Sequence, residues 1–300
     1  MPSSSNRLPV GFLLVVLLQA AGFGQQLTVD HVTIAGRDLK HMEAMFASVQ
    51  FPTQYGGKHT NGLTEMALKS FADGSYLELI AGQTPAGAVG HYWAKFIDGD
   101  AGPCAWAVSV DDIAPPEQRL KSLGIPVEVS KSGRTRPDGV ALSWETARIG
   151  SGPQGTFFPF LIHDLTPRDR RAFPQGKPSD PGISGILWVV IAVRDLPSAL
   201  EQYRNAFQLP EPAFQNDPTL GARLAAFPNS PVILAGALNT ESWLGRRLAQ
   251  FGDAPCAFVI ASNGQGHFLT RGSSVWFNYS FQWLDPEKLD GMRIGIGGQR

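Results

Sequence analysis

The sequence predicts an α+β protein of two domains, each a tandem pair of β-α-β-β-β units. Three observations carry that prediction. Short strand patterns and single helical segments follow one another in the same order twice between residues 27 and 165. Residues 166–185 (TPRDRRAFPQGKPSDPGISG) are dense in Pro, Gly and charge, the composition of a linker. Beyond them the pattern returns. Ile34-Ala35-Gly36-Arg37-Asp38-Leu39 is echoed by Ile191-Ala192-Val193-Arg194-Asp195-Leu196, and Pro103-Cys104-Ala105-Trp106 by Pro255-Cys256-Ala257-Phe258. Repetition at so long a period marks a duplicated domain, not a solenoid.

Taken in order, the chain opens with an expected export signal. Residues 1–9 are polar with one cation, Arg7; residues 10–21 (VGFLLVVLLQAA) are apolar; small residues follow at Gly22 and Gly24. That is the pattern of a secretory signal peptide cut after Gly24, and the run is shorter than the roughly 20 residues a bilayer span needs. The alternative is an uncleaved anchor. No cysteine lies near the cut to take a lipid. Cleavage would leave 276 residues with formal charge −2, secreted or periplasmic. So balanced a charge offers no basic field for phosphates, which excludes nucleic acid as a partner. The two cysteines, Cys104 and Cys256, stand at equivalent positions, so packed thiols are preferred to a bridge.

The expected domains are residues 25–165 and 186–300, joined by 166–185. In the first, residues 27–35 read as a strand, and Asp38 caps a helix through Ser48. Strands at 63–70 and 75–81 flank the turn Asp73-Gly74, and a loop runs on through Gly102. The second unit reads as strand 104–110, helix 115–123, and strands 127–130, 140–149 and 156–162, with a turn at Asp138-Gly139. The aromatic segment 275–296 is strand-like, with no register assigned. A P-loop, a Gly-rich dinucleotide fingerprint and a Ser-His-Asp arrangement are all absent from the sequence.

Several segments carry a family resemblance: Asp30-His31-Val32 opening the first strand, Arg37-Asp38-Leu39 before the helix, and Tyr76-Leu77-Glu78-Leu79-Ile80 on the fourth strand. In them the chain resembles the vicinal oxygen chelate superfamily of glyoxalases, extradiol dioxygenases and bleomycin-resistance proteins. Gly56-Gly57-Lys58-His59, residues 132–139 and residues 159–168 make it look most like the glyoxalase-like domain branch. The resemblance covers residues 27–171 and weakens past Ile186. It implies cupped mixed sheets in which the first and last strands of each unit supply one metal ligand apiece. His31 and Glu78 stand where the first unit would supply its pair, to hold a divalent ion such as zinc, iron, manganese or nickel. Strand alternation agrees: Leu77 and Leu79 would face the helices, leaving Tyr76, Glu78 and Ile80 inside the cup.

The second unit departs from the pattern, with Ala105 expected in place of the His and Pro159 in place of the carboxylate. In the second domain, Trp188 and Val232 are expected at those places, so that half reads as degenerate. His59 and His163 are the candidates to complete a displaced site or to touch ligand. The other reading of His31 and Glu78 is a polar pair lining a ligand pocket. Glu78 is the candidate general base if its surroundings are apolar, and otherwise a solvent-facing strand residue. Arg134 and Arg136 could clamp an anionic group of a substrate, or simply solubilise a hairpin. Trp106 faces the helices by parity and belongs to the core. The function expected is binding of a small organic ligand in the first cup, with metal-assisted isomerase or lyase chemistry, or else metal-free sequestration without turnover.

Overall fold

The computed structural model describes residues 27–84, 88–180, 182–264 and 266–298. The expected export segment lies outside them. The first half runs β1 (Val29–Ala35), α1 (Leu39–Ser48), β2 (Gln54–His59), β3 (Thr64–Ser70), β4 (Tyr76–Gly82) and α2 (Ala94–Asp98). It continues with β5 (Gly102–Ser109), α3 (Ala114–Ser122), β6 (Val127–Thr135), β7 (Ala141–Ile149) and β8 (Phe160–Asp164). The strands close into a barrel in the order β1-β4-β3-β2-β6-β7-β8-β5. Each unit pairs its first strand parallel to its last, and the units meet where β1 runs antiparallel to β5.

Local sequence explains the elements. Asp38 caps α1 by accepting the His41 backbone N–H at 3.1 Å. The helix then buries Leu39, Met42, Met45 and Phe46 on one face. Leu77 and Leu79 join them in the core between sheet and helices, while Tyr76, Glu78 and Ile80 turn inward. β2 was not foreseen. Its sequence, QYGGKH, has neither apolar alternation nor β-branched residues, and pairing with β3 and β6 supplies what propensity lacks. Gly57 makes that closure possible: its φ is +112°, and a Cβ there would stand 2.2 Å from the Thr135 carbonyl oxygen. Closure brings His59 opposite Arg134. Two further differences follow. A short helix, α2, interrupts the expected loop, and β8 starts at Phe160, not at residue 156.

The second half forms an eight-stranded sheet. Its elements are β9 (Ile183–Val193), α5 (Leu196–Phe207), β10 (Ala213–Asp217), β11 (Ala222–Ala226) and β12 (Val232–Ala237). They are followed by α6 (Trp243–Phe251), β13 (Ala254–Ser262), β14 (Thr270–Trp276), β15 (Tyr279–Leu284) and β16 (Arg293–Gly297). The strand order, β10-β11-β12-β9-β13-β16-β15-β14, repeats that of the first half without closing. Asp195 caps α5 as Asp38 caps α1, accepting from the Ser198 N–H at 3.0 Å. Between β13 and β14 the described residues form no helix, so the last unit has lost its α element.

The segment between the halves carries α4 (Arg168–Ala172), and it is anchored. Arg171 is 1 % exposed and forms ion pairs with both Asp30 and Asp164. Sequence composition had suggested only a polar tether. Apolar contact also joins the halves: Phe158 and Phe157 of the first pack against Tyr203 of α5. Cys104 and Cys256 are free and buried. Arg247 of α6 bridges the adjoining edges, donating to the carbonyls of Ala101 (2.6 Å) and Pro255 (2.9 Å).

Candidate functional site

The barrel of the first half holds a half-open cavity of about 300 Å³, into which His31, His59 and Glu78 all project. Each arrives by strand geometry. His31 lies on β1 beside Tyr76 of β4, and Thr33, two residues on, lies beside Glu78. His59 ends β2, across the barrel seam that Gly57 permits. The two imidazoles flank the one carboxylate: His31 Nε2 is 3.8 Å from Glu78 Oε2, and His59 Nε2 is 3.7 Å from Glu78 Oε1. Thr33 donates its hydroxyl to Glu78 Oε2 at 3.0 Å. Among the described residues no lysine or arginine reaches Glu78 within ion-pair distance, although it is 4 % exposed.

Burial keeps the imidazoles neutral. It lowers the pKa of His31 to about 4, outweighing the pull of Glu78 in the other direction. His59 is lowered by burial too, again against Glu78. A third histidine, His91, reaches the cavity from the loop before α2 and is lowered to about 4, chiefly by burial. Its Nδ1 accepts the Trp93 backbone N–H at 3.1 Å, so the neutral ring carries its proton on Nε2. Trp93 is pinned in turn by its indole N–H on the Gln154 carbonyl at 2.7 Å. Trp144 and Phe160 add apolar wall. Tyr76 stacks on His31 with ring centroids 4.7 Å apart and planes 7° from parallel.

Behind His31 stands a charged network. His31 Nδ1 is 2.6 Å from Asp30 Oδ1. Asp30, fully buried, accepts from Arg171 Nη1 and Nη2 at 2.9 and 2.7 Å, and from Arg168. Arg171 also donates to the Tyr76 hydroxyl at 2.6 Å and to Asp164. One short helix after the first domain thus clamps both residues of the His31–Tyr76 stack from behind.

The other expected site residues divide. Arg134 lines the cup, but its terminal nitrogens are engaged by the carbonyls of Gly56 and, at 2.8 Å, Arg171. Arg136 lies outside the cup lining, bonded to Asp138 at 2.6 Å and to the Arg170 carbonyl at 3.2 Å, where it ties a hairpin to the connecting segment. His163 also lies apart from the cup. It is absent from the cup lining, and its Nδ1 lies 3.4 Å from the Val110 carbonyl. On β8 the residues turned inward are Phe160 and Ile162. Register explains the slip. β5 pairs with β8 through Ala107 and Phe160, so Phe160, not Pro159, is the counterpart of Glu78. The expected Ala105 does stand opposite Thr33, as the pseudo-twofold relation to His31 requires. In the second half β12 pairs Ile233 with Val190, which makes Ile233, not Val232, the equivalent of Glu78. A one-residue shift in strand counting exchanges the faces of the sheet. Trp188, the equivalent of His31, packs 6.1 Å from Trp276 and 5.2 Å from Tyr279, so aromatic rings stand where the first half keeps its polar pair.

His91 and Arg171 escaped the sequence reading. His91 lies in a loop without periodicity, and Arg171 lies in a segment whose composition reads as solvated. The resident divalent ion implied by resemblance does not fit this donor set. His31 and His59 approach different oxygens of Glu78, and the second unit presents a methyl and a phenyl, Ala105 and Phe160. Among the described residues no group of three His, Cys, Asp or Glu side chains is placed to hold a metal ion, whereas a protein-held metal commonly takes three or four ligands.

Residues 29–207 match the family model described as "Glyoxalase-like domain". A hypothetical protein from Staphylococcus aureus is similar in structure, at 13 % identity and a TM-score of 0.61, over 91 % of this chain and 100 % of that one. So is a mutant 4-hydroxymandelate synthase from Streptomyces coelicolor, at 10 % identity and a TM-score of 0.59, over 92 % of this chain and 94 % of that one. No curated protein sequence matches the chain. Both structural likenesses bear on the fold, that of the vicinal oxygen chelate superfamily.

Proposed function

Because the chain belongs to the glyoxalase-like domain family, we propose that it binds a small organic ligand in the cup of its first domain, without a resident metal. One observation carries the reading: a half-open cavity in the barrel, walled in part by aromatic rings, into which a nearly unpartnered carboxylate and neutral imidazoles project. Apolar walls with a few convergent polar groups are the usual make-up of a ligand site. A library of small molecules tests it by thermal shift, against the wild type and against Ser132→Trp, which sets an indole into the cup. Ligands of the cup should stabilise the first and not the second. Hits that stabilise both equally would place binding elsewhere and overturn the reading.

A second reading, turnover, is favoured by the state of Glu78. Thr33 holds Oε2, and Oε1 has no hydrogen-bond donor among the described residues. A carboxylate so placed can accept a proton from a bound ligand, the step that isomerases and lyases acting beside a carbonyl require. Ligand hits with an acidic C–H, incubated in D2O, should then exchange with the wild type and not with Glu78→Gln. Binding without exchange leaves sequestration as the function. We further propose that residues 1–24 direct export, on the composition of residues 10–24 alone.

A further inference from the structure

We propose that Asp30, held by Arg168 and Arg171, is a positioning residue that fixes His31 with a bare Nε2. The His31–Glu78 gap is then a paired acceptor for a hydrogen-bond-donating head group, best satisfied by a primary ammonium on an apolar body. The inference rests on the reading of the cup as a ligand site.

Asp30 sets the state of the His31 ring. It is fully buried and takes hydrogen bonds from two guanidinium groups, so it is an anion. An anionic carboxylate only accepts, and its Oδ1 lies 2.6 Å from His31 Nδ1. The proton of the neutral ring therefore sits on Nδ1, and Nε2 keeps its lone pair. That lone pair faces Glu78 Oε2 across 3.8 Å, a second acceptor whose other hydrogen bond comes from Thr33. Two acceptors at this separation cannot bond to each other. They can share one donor atom that carries more than one hydrogen.

Charge decides among donors. Glu78 brings a negative charge to the gap itself, while of the cations in the cup wall Lys131 pairs with Glu145 at 3.7 Å and Arg134 has its terminal nitrogens engaged by two backbone carbonyls. A carboxylate head would meet a lone pair and a like charge, which costs free energy in a buried site. An ammonium meets a lone pair and an opposite charge, and its apolar body meets the aromatic wall of Tyr76, Trp144 and Phe160. A hydroxyl satisfies one acceptor well and the other poorly.

Two measurements test this. Histidine 15N NMR of the wild type should show His31 protonated at Nδ1 and bare at Nε2. Asp30→Asn should shift the ring toward the other tautomer, and the milder Arg168→Gln serves if Asp30→Asn does not fold. A wild-type His31 protonated at Nε2 overturns the proposal without any ligand. Titration with benzylamine, benzyl alcohol and benzoate reads the second half. Benzylamine should bind at least about tenfold tighter than benzoate, the factor that about 1.4 kcal/mol makes, with benzyl alcohol between. Benzoate binding as tightly as benzylamine overturns the ligand class. So does failure of all three while other library hits still bind in the cup. No cup hit from the library at all would instead sink the binding reading itself.

Discussion

Acidification should destabilise this protein through His31 before most carboxylates titrate. The ring has a pKa of about 4 in the fold, because burial disfavours its charged form, against 6.5 in the unfolded chain. Between those values the unfolded state binds the extra proton, so stability is greatest above pH 6.5 and falls as pH drops toward 4. A shift of about 2.5 units at 1.36 kcal/mol each costs about 3 kcal/mol once complete, and about 2 kcal/mol is already lost at pH 5. The assay is urea unfolding at pH 7, 6 and 5 for the wild type and for His31→Gln, whose amide does not titrate in this range. The difference in unfolding free energy between the two proteins should close by about 2 kcal/mol from pH 7 to pH 5. Parallel pH profiles would refute the reasoning: His31 would then be solvated, or already charged in the fold.

Three shorter expectations follow from the same structure. Arg171→Met should cost about 3–5 kcal/mol, because it leaves buried Asp30 without its main counter-charge and half-buried Asp164 without its partner; denaturant midpoints read it, and a loss under 1 kcal/mol would mean water reaches that network. Trp188→Ala should cost about 3–5 kcal/mol as a truncated core aromatic, while ligand hits of the first cup keep their affinities; altered preference at unchanged stability would assign the second domain a part in binding. N-terminal sequencing of exported protein should begin near Gln25 or Gln26, and a retained Met1 in that fraction would defeat the export proposal.

How much of this was legible in the sequence depends on the range of the interaction involved. Local signals read well. Asp38 and Asp195 cap helices because a short side chain reaches the N–H groups of the first turn, which depends only on neighbouring residues. The inward turn of Glu78 follows from the alternation Leu77–Glu78–Leu79. Register did not read well. The irregular stretch at residues 150–159 separates β7 from β8, and counting through it put Pro159 where Phe160 stands. Pairing across the barrel sets that register, and no local pattern reports it. β2 is held by its neighbours and by the freedom of Gly57, so a polar, Gly-rich segment became a wall of the site. Arg171 looked like linker charge because composition cannot register a partner 141 residues away in the chain.

Ligand binding at His31 and Glu78 of the first cup is the proposal from which the others follow. Protein labelled with 15N and 13C in histidine, titrated with library hits, tests it most directly. True ligands should move the ring signals of His31 and His59 together, leave exposed His41 unmoved, and lose this effect in Glu78→Gln. Hits that bind while the signals of His31 and His59 stay fixed would contradict it.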